Sequence, residues 1–453
     1  MMMRLSELAA VLAAPLRGAD VGFDTVSTDT RNIRSGDLFV ALKGERFNAH
    51  AFVAEAAKAG AVAALVEHAV EAAIPQIVVG STLEALATLG AHWRGRFNIP
   101  LIALTGSNGK TTVKEMLASI LRAQAGGDSV LATRGNLNNH IGVPLMLLEL
   151  REVHRYAAIE MGMNHPGEIA QLATIGQPTV ALVNNAQREH MEFMASVEAV
   201  ARENAAVFEA LPANGTAVVN ADDAYADYFR EAAGAHRIVD FGLEQPAAIS
   251  GGYVLKNLSS EIRLRTPAGE AALTLAIPGL HNVRNALAAC ACAHAVGITP
   301  AVMREGLENF RPYTGRLQVK RAVNGATVID DTYNANPDSV RAAIDVLARC
   351  APPTLLVLGD MGEVGDQAAA FHQEVGAYAR SRQVSALCAF GEHTAAAVEA
   401  FGAAATKSGS IEELLDAVRA GATPHTTVLV KGSRCMRMER VVQALTGEAG
   451  GVH

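Results

Sequence analysis

The stretch Thr105-Gly-Ser-Asn-Gly-Lys-Thr-Thr112 carries the residue types that hold phosphate. Gly106 and Gly109 let the backbone N–H groups of the loop, Ser107 and Asn108 included, turn inward toward anionic oxygens. The N-terminus of the helix predicted from about residue 113 adds the positive end of its dipole. Lys110 is placed to reach the terminal phosphates, Thr111 to hold Mg²⁺ and Thr112 to close the cradle. The full pattern asks for a further glycine where Leu104 stands, so this is the short Gly-x-x-Gly-Lys-Thr form. The chemistry implied is binding and cleavage of ATP with Mg²⁺.

Three further groups suit that chemistry. Glu160 closes an apolar run at 157–160, and a carboxylate at a strand end beside a phosphate loop is a natural Mg²⁺ ligand. His190 follows the next run, 180–183, as a second metal ligand or a hydrogen-bonding partner. Two such positions on successive strand ends suit phosphoryl transfer, where offsetting charge is most of the task. Gly135-Asn-Leu-Asn-Asn-His-Ile-Gly-Val-Pro144 brings Asn136, Asn138 and Asn139 close together. Amide side chains both donate and accept, which fits an uncharged polar ligand such as a sugar or peptide.

The elements that must position these residues read as α/β throughout. Short apolar runs at 101–104, 130–133, 157–160, 180–183 and 217–220 each turn polar at their ends, as buried parallel strands of a doubly wound sheet do. Ligands bind beyond the carboxyl ends of such strands. Before them, 38–42 and 77–80 read as strands, and 51–60 as a helix closed by its glycine. After the turn-rich Arg311-Pro-Tyr-Thr-Gly-Arg316, strands are predicted at 328–331, 355–358, 386–390 and 428–430. The expected division is 1–80, 81–311 and 312–453, three α/β domains in 453 residues.

Composition narrows the class. Apolar residues make up 50% and aromatic ones 5%, so the cores rest on Ala, Val and Leu. A net charge of −8 argues against a duplex nucleic-acid binder. Five cysteines without a Cys-x-x-Cys spacing suit a reduced, cytoplasmic chain with no zinc site. Charges interrupt the apolar stretch 49–79, so no membrane span is expected. The N-terminus reads as a short helix rather than a signal peptide.

Taken in order, 105–112, 135–144, 160–168, His281-Asn-Val-Arg-Asn-Ala-Leu287, Asp330-Asp-Thr-Tyr-Asn-Ala-Asn-Pro337, Leu358-Gly-Asp-Met-Gly-Glu-Val-Gly365 and Val430-Lys-Gly-Ser-Arg434 resemble the Mur ligases. Ser27-Thr-Asp-Thr-Arg31, Gly36-Asp-Leu-Phe39 and Ala41-Leu-Lys-Gly44 extend the resemblance over nearly the whole chain. The Tyr-Asn-Ala-Asn-Pro and Lys-Gly-Ser-Arg versions favour the branch that joins D-alanyl-D-alanine to UDP-N-acetylmuramoyl-tripeptide.

The resemblance implies a UDP-sugar domain, a central ATPase and a Rossmann-like C-terminal domain that closes over the site, hinged at 311–315. It implies an acyl-phosphate intermediate and a monomer. By the same resemblance Lys110, Glu160, His190 and Arg316 are catalytic, and Glu160 and His190 hold metal. Asn282 and Asn285 contact adenine, and Arg316 and Asp331 reach phosphate and ribose. Ser27, Arg31 and Lys43 face the uridine diphosphate. Asn334 and Asn336 lie toward substrate, and Lys431 and Arg434 toward its carboxylates.

One departure stands out. Many family members carry a carbamate-modified lysine in the helix after the His190 loop, and that position is Asn204 here. The sequence has no lysine between Lys114 and Lys256. Helical spacing keeps Asn204 inward with Val200, Val207 and Phe208. Either its amide binds the metal or its water, or the second metal site is weaker; no carbamate is expected. Rival readings are another amide ligase of this plan, such as folylpolyglutamate synthetase, a nucleotide-switch or motor ATPase, and a scaffold that only binds nucleotide.

Overall fold

The computed structural model describes residues 1–44, 47–189 and 191–448. Its centre is a six-stranded parallel sheet. In spatial order the strands are Arg237–Phe241, Thr216–Asn220, Val180–Val183, Leu101–Thr105, Tyr156–Glu160 and Val130–Ala132. Leu101–Thr105 comes first in the chain yet sits inside the sheet, with later strands added on both sides. Its carboxyl end is therefore the switch point where an α/β sheet opens a crevice. Leu101 and Ala103 pack into one core, Ile102 and Leu104 into another, so the strand is buried on both faces.

Register sets the levels. Glu160 pairs with Leu104 and Val183 with Thr105, so Glu160 and Asn184 emerge on either side of the phosphate loop. The loop leads directly into the helix Lys110–Ala125. One turn on, the fully buried Lys114 donates to the Thr133 carbonyl at 2.7 Å. Thr133 Oγ1 in turn accepts from the Glu160 backbone N–H at 2.9 Å, which fixes the height of Glu160.

The N-terminal sheet runs Leu16–Arg17, Gln76–Val78, Ala63–Val66, Asp37–Val40, Thr25–Ser27, parallel except at its first edge. The helix Val53–Ala59 ends at Gly60 with φ +119°, a left-handed cap suited to glycine. The C-terminal sheet runs Gln318–Arg321, Thr327–Asp331, Thr427–Lys431, Thr354–Gly359, Ala386–Phe390, Ala405–Ser408, with only the first strand antiparallel. Asp331 and Lys431 are register partners at adjacent carboxyl ends.

One element departs from the strand–helix alternation expected over 81–311. Ser250–Leu255, Ser260–Thr266 and Gly269–Leu275 form a three-stranded antiparallel sheet. Ser260, Ile262 and Leu264 are buried while Glu261, Arg263 and Arg265 face solvent, the period-two pattern of a one-sided sheet. Among the described residues no helix is long and apolar enough to cross a membrane. Four of the five cysteines are buried and none is in a disulfide.

Candidate active site

Two cavities meet at the phosphate loop, in the cleft between the central and C-terminal sheets. The smaller, about 400 Å³, is bordered by Asn184, Asp222, His281, Asn282 and Asn285 on one side and Asp331, Ser339 and Lys431 on the other. The larger, about 650 Å³, is bordered by Lys110, Thr111, Asn136, Asn138, Asn139, Glu160, Glu189, Asn334, Asn336 and Arg434. Asn108, Gly109, Arg316 and Ser339 border both.

The loop is clamped by the segment after Val180–Val183. The Asn184 amide donates to the Asn108 carbonyl at 2.7 Å, and the Asn185 side chain both accepts from the Asn108 N–H at 2.8 Å and donates to its carbonyl at 2.9 Å. Gln187 accepts from the Asn108 side chain at 2.7 Å, and its N–H donates to Ser107 Oγ at 2.9 Å. Gly109 has φ +85°, and a Cβ there would lie 2.4 Å from Asn285 Oδ1, so only glycine fits. Thr112 borders the smaller cavity one residue beyond Thr111.

Lys110 Nζ donates to the Gly106 carbonyl at 2.5 Å and to Glu189 Oε1 at 2.8 Å. A cation in the loop is thus balanced by a carboxylate in this state. Glu160 is buried. Its Oε1 accepts from Asn138 Nδ2 at 2.8 Å, while its Oε2 is buried with no hydrogen-bond partner among the described residues. A carboxylate with one unpartnered oxygen, on a residue that borders the same cavity as Thr111, fits a hard cation such as Mg²⁺. His190 lies outside the described residues.

The helix Leu280–Ala295 supplies the far wall. Asn285 Nδ2 donates to Asn282 Oδ1 at 3.1 Å, and Asn285 Oδ1 accepts from Asn184 at 3.2 Å. A chain of amides therefore runs from Asn282 to the phosphate loop. Burial pushes the His281 imidazole down to about 4, with Lys431 and Arg284 acting the same way against Asp331. The ring is neutral at pH 7. Asp222 accepts from the N–H groups of Leu243, Glu244 and Gln245, and Asp223 from those of Ala186 and Tyr225. Burial raises Asp223 above the usual carboxylate range.

The C-terminal sheet brings Arg316, whose guanidinium carbon sits 4.1 Å from the Tyr333 ring centroid. Its Nε is buried without a hydrogen-bond partner among the described residues. Lys431 was expected toward substrate carboxylates. Its ammonium is instead buried against Asp331 at 2.6 Å and the Asn334 carbonyl at 2.8 Å, because strand register sets it beside Asp331. Burial lowers it from its ordinary value, opposed by Asp331.

Several other expected ligand residues carry structural bonds. Asn336 caps the helix Pro337–Leu347 through Ser339 N–H at 2.8 Å and donates to Asn108 Oδ1 at 2.9 Å across the cleft. Asn139 accepts from Gly142 N–H at 2.9 Å at the start of the helix Gly142–Leu147. Arg434 is half exposed beside Glu439 at 3.3 Å. Ser27 ends the strand Thr25–Ser27, Arg31 sits in the turn Thr30–Asn32 that follows it, Lys43 lies beyond the strand Asp37–Val40, and the three border neither cavity. Arg31 is paired with Asp29 at 2.6 Å. Asn204 does point inward, yet its amide is engaged: Oδ1 accepts from Thr105 Oγ1 at 2.6 Å and Nδ2 donates to the Val200 carbonyl at 3.0 Å. It supports the residue that starts the phosphate loop.

The sequence reading passed over Asn184, Asn185, Gln187, Arg188, Glu189, Asp222, Asp223 and His281. Val183-Asn-Asn-Ala-Gln187 and Asn220-Ala-Asp-Asp223 offered the cue, as polar clusters directly after apolar strands.

Comparison with known proteins agrees with this geometry. Family models match in three segments: "Mur ligase family, catalytic domain" over 23–94, "Mur ligase middle domain" over 104–293, and "Mur ligase, glutamate ligase domain" over 315–434. The UDP-N-acetylmuramoyl-tripeptide–D-alanyl-D-alanine ligase of Escherichia coli K12 is 40% identical, over 97% of this chain and 98% of its own. The Bacillus subtilis protein of that name is 33% identical over 93% and 92%. A crystal structure of MurF from Acinetobacter baumannii superposes with a TM-score of 0.91 at 36% identity, covering 98% of both chains. One of MurF ligase from Thermotoga maritima in complex with ADP gives 0.81 at 26%, over 94% of this chain and 97% of that one. With the site and these likenesses together, the chain belongs to the Mur ligase family.

Proposed function

We propose that this chain is an ATP-dependent ligase that joins D-alanyl-D-alanine to UDP-N-acetylmuramoyl-tripeptide, releasing ADP and phosphate. The observation that carries the reading is the shared wall of the two cavities. Asn108, Gly109 and Arg316 border both, so one molecule can lie along the loop with its base in the smaller space and its reacting end in the larger. The names of full-length relatives support the substrate pair.

In this reading, an oxygen of the tripeptide carboxylate attacks the terminal phosphorus of ATP. The bond to the bridging oxygen breaks and ADP leaves. The amine of D-alanyl-D-alanine adds to the acyl phosphate. The tetrahedral intermediate then expels phosphate, and the nitrogen loses its proton as the amide forms. Lys110 leaves Glu189 for the phosphate oxygens and offsets their charge. Arg316, with its unpartnered Nε, takes an anionic oxygen from the opposite side. Glu160 and Thr111 hold Mg²⁺, with His190 as a further ligand; the bound ion neutralises charge on the transferring group. Asn282 and Asn285 keep donor and acceptor capacity for adenine, and Asp331 faces the ribose. Ser27, Arg31 and Lys43 serve the uridine diphosphate. All these groups come from one chain, so a monomer is complete. The domains divide near 80 and 311.

The test is a phosphate-release assay with purified UDP-muramoyl-tripeptides bearing diaminopimelate or lysine. Release that depends on D-alanyl-D-alanine is expected with one of them. Release driven by glutamate or a single amino acid would place the chain in a sister activity.

A further inference from the structure

Arg188 follows directly on the residues that clamp the phosphate loop, yet its side chain leaves the central domain. Its guanidinium meets Asp338 at 2.6 Å and Glu374 at 2.7 Å, and its own backbone N–H donates to Asp338 Oδ2 at 3.1 Å. Asp338 lies in the first turn of the helix Pro337–Leu347, and Glu374 in the helix Ala368–Ser381. The guanidinium carbon is 5.2 Å from the Phe371 ring centroid. Arg341 of the C-terminal domain shares Glu374 at 2.8 Å. Two arginines therefore face two carboxylates, and only Arg188 comes from the central domain. Its charged side chain and both carboxylates are about three-quarters buried, where forked pairing is stronger than on an open surface.

The position of this cluster matters more than its strength. Asp338 and Ser339, on the helix that Arg188 grips, border the nucleotide cavity, and Asn336 just before them bonds Asn108. On the other side, Asn184, Asn185 and Gln187 hold Asn108 and Ser107. Four residues within the run 184–188 thus tie the phosphate loop to the helix that closes over it.

We propose that Arg188 is a positioning residue for nucleotide binding: its two ion pairs set how closely the C-terminal domain, with Arg316 and Asp331, approaches the phosphate loop. The inference rests on the functional reading above. Without Arg188 the helix keeps its cap and fold, but the far wall of the cavity stands off.

The experiment is a titration of wild type and Arg188→Ala with a non-hydrolysable ATP analogue and Mg²⁺, alongside steady-state kinetics. Arg188→Ala should weaken analogue binding and raise KM for ATP about tenfold, inside the ~5–150-fold range of typical couplings between sites. KM for the UDP-tripeptide should move far less. Arg188→Ala and Glu374→Gln should be non-additive, and added NaCl should weaken nucleotide binding more in wild type than in Arg188→Ala. Circular dichroism and the thermal midpoint establish that each variant is folded. A folded Arg188→Ala that binds the analogue as wild type does overturns the inference. So does a variant whose kcat falls while KM for ATP stays. Wild type that binds no nucleotide instead fails the functional reading itself.

Discussion

Around the smaller cavity, Asn184, Asn282 and Asn285 are buried and use their amides on one another, on the phosphate loop and on backbone carbonyls. Around the larger one, Asn136, Asn139 and Arg434 are exposed, and Glu160 keeps a buried oxygen without a partner among the described residues. The first wall holds its shape before any ligand arrives. The second leaves hydrogen-bonding capacity unfilled. In a ligase that takes ATP and two further substrates this is a sensible asymmetry: the nucleotide site is preorganised, and the acyl site is completed by what binds there.

The largest test of that contrast is Lys110→Ala, which removes the phosphate-loop cation on the larger cavity. Turnover should fall about 10²–10³-fold, the scale of losing one pre-positioned transition-state donor. Phosphate release at the wild-type rate would refute the mechanism. The next test concerns His281 in the preorganised wall. Its folded value is depressed to about 4, so its contribution to stability is present above the unfolded value near 6.5. As pH falls from about 6.5 toward 4, the unfolded chain takes up a proton that the folded one refuses, and stability drops by up to about 3 kcal/mol. Urea unfolding at pH 7 and pH 5 should show a smaller loss of stability in His281→Asn than in wild type, with the remainder carried by other buried histidines such as His372.

Gly109→Ala addresses the same wall through space. Its Cβ would meet Asn285 Oδ1 in a left-handed backbone, so nucleotide affinity should weaken on the order of tenfold, with stability lower by about 1 kcal/mol. An unchanged nucleotide affinity would mean that the amide chain adapts. Arg434→Ala should have the smallest effect. Beside an open cavity, the loss should be a few-fold in KM for the UDP-tripeptide, with KM for ATP unmoved, as for a solvent-screened charge. Equal shifts in both constants would erase the contrast.

The central strands and the phosphate loop were legible because burial on both faces forces short apolar runs, and because the loop needs glycine where only glycine fits. Glu160 was legible from its place at a strand end. The antiparallel strand Ser260–Thr266 and the second half of Gly269–Leu275 carry an alternation that was there to be read beside a strongly parallel pattern, whereas Ser250–Leu255 does not alternate. Lys431 was harder: its sequence context is that of an outward residue after a strand, and only the register with Asp331 turns it inward. The clamp at Asn184–Gln187 depends on contacts some 75–80 positions away in the chain, which no local pattern encodes.

The short run from Asn184 to Arg188 also has a consequence for variation. Surface loops ordinarily absorb an added or deleted residue at little cost. Here consecutive residues grip two bodies from opposite ends, so a one-residue insertion would put the clamp and the ion pairs out of step. This loop is a ruler: the side chains of Asn184, Asn185, Gln187 and Arg188 make its contacts, and its length keeps them in step.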